Sequence, residues 1–239
     1  MLHEEEGYKV EGFTKSFDFA QKRYLESYKT FKNTFNAPPN DPKRLGICYG
    51  LSLLWVAQLI EFHHETPQKR FETLASRAGL CACGQIQDVH TGPGGDWQKR
   101  IFSKYSLNHG SLWQRPLILS LRGAKSCAEH LARKATVAQK YCLWILGYCH
   151  PNSGKHHSAA SYCSGGKMGI SRHFYFFDSN FGEYKVAIRD VSKFLQGYID
   201  SYSKENWPID TIGFNEVRRG AYSPIPSGGS PTFTPYSEK

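Results

Sequence analysis

Three side chains far apart in the chain, Cys48, His157 and Asp178, are of the types and in the order that catalysis by a thiol nucleophile requires. A thiolate needs a base beside it, and the base needs a third group to hold its tautomer. Cys48 stands in Gly46-Ile-Cys-Tyr-Gly-Leu-Ser-Leu-Leu-Trp55, where a turn passes into a stretch predicted as a helix apolar on nearly every side. From Leu51 to Phe62 the polar interruptions are Ser52, Gln58 and Glu61, and a helix apolar all round is a buried one. A thiol in the first turn of such a helix meets the positive end of the dipole and unsatisfied N–H groups, which lower its pKa. Taken alone, the segment also fits a packing role, since free Cys is among the most buried residue types.

The partners shift the balance toward chemistry. His157 begins a segment that reads as a strand after a Gly154-containing turn, and Asp178 closes His173-Phe-Tyr-Phe-Phe-Asp178. In a strand, alternation puts Phe174, Phe176 and Asp178 on one face, so the carboxylate is aligned with core-facing rings. A carboxylate aimed into such a neighbourhood is costly unless a partner accepts its charge, and a histidine on an adjacent strand is a natural acceptor. Two alternatives stay open at this level. His156 faces oppositely and competes for the role of base, and Asn180, on the face of Asp178 if the strand runs on, competes for the orienting role.

The elements that must position these residues follow from punctuation and period. Residues 1–39 read as a lead-in, with a helical stretch near 16–33 broken by Asn36-Ala-Pro-Pro-Asn-Asp-Pro42. The Cys48 helix is expected over about 48–64, an amphipathic helix over 68–80, a loop at Thr91-Gly-Pro-Gly-Gly95, a mixed region over 96–122 and another helix over 124–139. Tyr141–Tyr148, His157–Cys163, His173–Asp178 and Tyr184–Ile188 read as strands joined by short turns, which favours antiparallel pairing. A helix over 191–203 follows, with Asp190 placed to cap it. Helices first and strands after make an α+β plan, in which a central buried helix carrying Cys48 packs on an antiparallel sheet carrying His157 and Asp178. The expected organisation is a domain over 40–219 between the lead-in and a Pro-, Ser- and Gly-rich tail over 220–239.

Bulk composition narrows the function classes. Lys and Arg number 30 against 21 Asp and Glu, a formal net charge of +9 that suits anionic membrane surfaces, nucleic acid or acidic partners. The basic pairs Lys69-Arg70, Lys99-Arg100 and Arg218-Arg219 are too sparse for a nucleic-acid arm, so no nucleic-acid partner is expected. Seven cysteines, an odd count in a chain this long, suggest thiols kept reduced. The acidic N-terminus has no apolar h-region and the apolar runs fall short of the roughly 20 residues of a membrane span, so a soluble protein without a classical signal peptide is expected. Cys81-Ala-Cys83 with nearby histidines departs from usual zinc spacing, and Thr91–Gly95 lacks the ending of a phosphate loop.

Gly46-Ile-Cys48-Tyr-Gly-Leu-Ser-Leu-Leu-Trp55, His157-Ser-Ala-Ala-Ser-Tyr162 and Phe176-Phe-Asp178-Ser-Asn-Phe-Gly-Glu-Tyr184 together resemble the YopT/AvrPphB-type papain-like cysteine protease effectors of clan CA. The resemblance covers about residues 40 to 215. It implies a papain-like fold, Cys48 as nucleophile, His157 as general base and acid, Asp178 as orienting carboxylate, and no cofactor or metal. It also implies secretion by a bacterium, the host cell cytoplasm as the place of action, and a host signalling protein as substrate, a small GTPase or a kinase, with membrane-surface contact through the basic charge. Other readings are a transglutaminase or deamidase using the same triad, and a non-enzymatic basic binding module. Two departures stand out. Position 179 is Ser where the family commonly has Pro, and the upstream amide expected to complete the oxyanion hole is not five residues before Cys48, where Lys43 stands; the nearest is Asn40.

Overall fold

A computed structural model describes residues 7–24, 46–62, 64–91, 96–148, 156–166 and 171–220. The expected segments at 25–45, including Asn40 and Lys43, the loop at 92–95 and the tail from 221 lie outside the described residues.

The sequence of elements is β1 (Lys15–Phe17), α1 (Cys48–Glu61), α2 (Pro67–Ala75), α3 (Arg77–Thr91), α4 (Trp97–Lys104), β2 (Leu107–Ile118), α5 (Leu119–Arg122), α6 (Ala124–Ala135), β3 (Lys140–Tyr148), β4 (His156–Cys163), β5 (His173–Asp178), β6 (Gly182–Ala187), α7 (Val191–Lys204) and β7 (Ile209–Arg219). The strands form one sheet in the order β1-β6-β5-β4-β3-β7-β2, with antiparallel neighbours throughout. Short connections account for the β3–β4–β5–β6 meander, as expected of antiparallel strands.

Alternation along the strands feeds two cores, one on each face of the sheet. Leu143, Ala160, Phe177 and Val217 pack with Leu51, Trp55, Leu59 and Leu74 under α1 and α2. Cys142, Trp144, Phe174, Phe176 and Phe214 pack with Leu131, Phe194 and Tyr198 under α6 and α7. α1 is buried nearly all round, as its composition requires, because the sheet lies on one side and α3 on the other. Gly50 permits that approach: a Cβ there would lie 2.2 Å from the carbonyl oxygen of Cys83.

Several expectations are corrected. The helical stretch expected near 16–33 is helical at 21–24, but Ser16 and Phe17 belong to the edge strand β1 on β6, because the open edge of the sheet offers hydrogen bonds that outweigh a weak helical preference. The region 96–122 resolves into α4 and the long strand β2. The helix read over 68–80 is two helices, α2 and α3, broken at Ser76. Asp190 is the residue before α7, but its side chain makes no cap hydrogen bond.

Candidate active site

Cys48 is the first residue of α1, His157 is the second of β4 and Asp178 the last of β5. β4 and β5 pair with Ala159 opposite Asp178, so His157 lies two residues beyond, at the same end of the sheet. The α1 N-terminus is held against this end by Ser52, whose Oγ donates to the carbonyl of Ser158 at 3.0 Å inside the core. The structure thus brings all three side chains together.

The contacts form a line. His157 Nε2 lies 2.9 Å from Asp178 Oδ2, both side chains buried, which leaves Nδ1 for the hydrogen bond His157 makes with the Cys48 thiol. His156 is exposed on the opposite side of the strand. Asn180 does not take the orienting role with its side chain. Its backbone N–H donates to Asp178 Oδ1 at 2.7 Å, its Nδ2 to the Tyr202 hydroxyl at 3.2 Å.

The electrostatics follow from this line. Burial pushes the Cys48 thiol up, but the charge and hydrogen bond of His157, helped by the backbone N–H of Ser158, outweigh it and hold the thiol below its ordinary value. Burial works against the His157 imidazolium too, yet the Asp178 carboxylate and the Cys48 thiolate more than offset it and raise the imidazole to about 10. Both directions favour the charged forms, thiolate and imidazolium, over the neutral ones. At other thiols burial prevails: it pushes Cys83, Cys127, Cys142 and Cys163 up, Cys163 even though Arg172 donates to its sulfur at 3.3 Å. The six described cysteines are free thiols.

The roles of three further residues, Gln21, Tyr198 and Tyr202, escaped sequence reading. Gln21 bridges the nucleophile and acid sides of the site. Its Oε1 accepts from the Ile47 N–H at 3.3 Å, immediately before Cys48, and its Nε2 donates to Asn180 Oδ1 at 2.8 Å. Its own backbone N–H donates to the carbonyl of Ser179 at 2.6 Å, the position where the resembling family commonly has Pro. Tyr198 and Tyr202, one turn apart on α7, both donate to Asp178 Oδ2, at 2.5 and 2.9 Å. Tyr198 was legible as a core position of an amphipathic helix; the destination of its hydroxyl was not. Among the described residues no group of three or more His, Cys, Asp or Glu is placed to hold a metal ion.

No family model and no curated protein matches the sequence. Among solved structures it is similar to the Pseudomonas avirulence protein AvrPphB, with a TM-score of 0.58 at 16% identity over 72% of this chain and 91% of that one. The fold is papain-like, of the AvrPphB type. A cysteine protease-like domain of the Photorhabdus asymbiotica toxin PaTox also aligns, at 11% identity over 89% of this chain and 94% of that one, but its TM-score of 0.27 adds nothing to the assignment. The AvrPphB-type fold accounts for the architecture around the site: a buried helix that opens on the cysteine, packed on an antiparallel sheet that carries the histidine and the carboxylate.

Proposed function

We propose that this chain is a cysteine endopeptidase of the YopT type, acting on a host signalling protein after delivery into a host cell. One observation carries the enzymatic part of the reading: Cys48, His157 and Asp178 form a buried hydrogen-bonded line in which the thiol is driven down and the imidazole up. That combination prepares a nucleophile and an acid together. The thiolate of Cys48 attacks a peptide carbonyl, and N–H groups at the start of α1 face the developing oxyanion. His157 gives its Nδ1 proton to the leaving amine, which departs. A water then attacks the thioester while His157 takes its proton, and the acid product leaves with the thiol restored. Asp178 holds the imidazole in the tautomer that both proton transfers need.

The host setting and substrate class rest on the likeness of fold to an avirulence protein and on the matching sequence segments. The net charge of +9 suits work close to an anionic membrane surface. The test is proteomic. The active protein and Cys48→Ala are expressed in host cells, and newly formed peptide N-termini are compared by mass spectrometry. New termini on a small set of proteins, present with the active form alone, are expected. A mass shift on a target without chain cleavage would overturn the peptidase reading in favour of a deamidase or transglutaminase, and identical proteomes would overturn the enzymatic reading.

A further inference from the structure

Asp178 Oδ2 receives three donors: His157 Nε2 at 2.9 Å, the Tyr198 hydroxyl at 2.5 Å and the Tyr202 hydroxyl at 2.9 Å. The carboxylate is fully buried, as are both phenols. Its other oxygen is taken by the Asn180 N–H. Oδ2 therefore divides its charge among one imidazole and two phenols. Phenols in a dry core readily find partners of this kind, but two converging on the oxygen that orients a catalytic histidine is more than packing requires. Their placement is built in at the helix level: positions 198 and 202 are i and i+4, stacked on one face of α7, and that face lies against the strand that ends in Asp178.

We propose that Tyr198 and Tyr202 are positioning residues that set how tightly His157 holds its proton, by drawing off part of the charge on Asp178. The inference rests on the triad reading given above. A histidine facing an undiluted buried carboxylate would keep its proton too firmly to pass it to a leaving amine, since general acids work best when their pKa lies near the working pH. The phenols weaken that hold while keeping the carboxylate fixed. α7 is then part of the catalytic apparatus although it contributes nothing that touches the substrate. The groups that face Asp178 from the packed elements are Cys48 on α1, Tyr148 on β3, His157 on β4, Tyr184 on β6, and Tyr198 and Tyr202 on α7.

The test compares wild type with Tyr198→Phe, Tyr202→Phe, a variant carrying 3-fluorotyrosine at position 202, and Tyr184→Phe. Tyr184 is a control: it is a buried tyrosine whose hydroxyl accepts from the Val10 N–H rather than donating to Asp178. Two readouts are followed against pH, the ring signals of His157 by NMR and the alkylation rate of Cys48 resolved by peptide mass spectrometry. Loss of either hydroxyl is expected to move the His157 titration upward by about half a pH unit or more, because hydrogen bonds to charged groups are strong and one unit corresponds to about 1.4 kcal/mol. Fluorotyrosine, a stronger donor, should move it downward, and Tyr184→Phe should leave it in place. Unmoved His157 titrations in both phenylalanine variants, with or without a loss of thermal stability, would overturn the proposal, as would a downward movement in either. Failure of the triad reading looks different: wild-type Cys48 would alkylate no faster than an ordinary thiol at neutral pH.

Discussion

Two buried carboxylates, five residues apart on adjacent strands, meet their charge in opposite ways. Glu183 on β6 belongs to the face under α1 and α2. Arg70 grips it with two hydrogen bonds, Nε to Oε2 at 2.8 Å and Nη2 to Oε1 at 2.6 Å, and Trp55 Nε1 adds a third at 2.7 Å. Asp178 at the end of β5 lies toward α7 and is held by His157, two phenols and a backbone amide. Both carboxylates are fully shielded from water, so both need compensation. The difference lies in the cation. A guanidinium keeps its proton at any pH a cell meets, and a bidentate grip makes the pair a fixed joint between α2, α1 and the sheet. An imidazolium can give its proton away. One pair is a fixed joint, and the other contains a cation that can titrate.

The contrast is broken most severely at the titratable pair. His157→Ala should leave a folded protein whose turnover falls on the order of 10⁶-fold, the loss seen when members of a triad act as a unit. His156→Ala, one residue away and solvent-facing, should leave kcat/KM within a factor of about two of wild type, as expected for a surface substitution. Peptidase assays on purified variants check both, and the reverse result would move the base to His156.

The fixed pair responds in stability instead. Arg70→Met strands a buried carboxylate and should cost roughly 3–5 kcal/mol in denaturant unfolding. Adding Glu183→Gln to it should recover part of that loss, because the amide removes the unpaired charge and its oxygen still accepts from Trp55 Nε1. The activity of the molecules that remain folded should change little. A stability cost below about 1 kcal/mol for Arg70→Met, the worth of an exposed pair, would show that the joint is not the buried bridge described here.

The two regions were also unequally legible in the sequence. The Cys48 helix announced itself through an apolar run interrupted only by Ser52, Gln58 and Glu61, and β3, β5 and β6 through aromatic and β-branched segments between turns. Alternation alone put Phe174, Phe176 and Asp178 on one face, and the first two do share a core. β2 and β7 were hidden because their polar residues, and Pro116 in β2, mask the period of two; bulges break the register of their ladder twice. β1 was hidden because three residues carry no period, and what makes them a strand is the free edge of β6. The polar partners around both carboxylates came from remote places: Gln21 acts across 159 residues on Asn180, and the Arg70–Glu183 bond spans 113. Residue type says that such side chains need partners, but only the closed sheet says which ones they meet.

His157 has a folded value raised from 6.5 to about 10, so the stabilisation its charge provides is full below about 6.5 and is lost as pH climbs through about 10. Cys48 is depressed, so its contribution is full above the ordinary thiol value and is lost as pH falls through the lowered one.

The most direct measurement is therefore peptide-resolved iodoacetamide labelling of the folded protein at pH 6–7. Cys48 is expected to react well ahead of Cys83, Cys127, Cys142 and Cys163, whose thiols burial holds protonated, and to lose that lead in His157→Ala. Labelling of Cys48 at the same rate as the other buried thiols, or a rate indifferent to His157, would contradict the account.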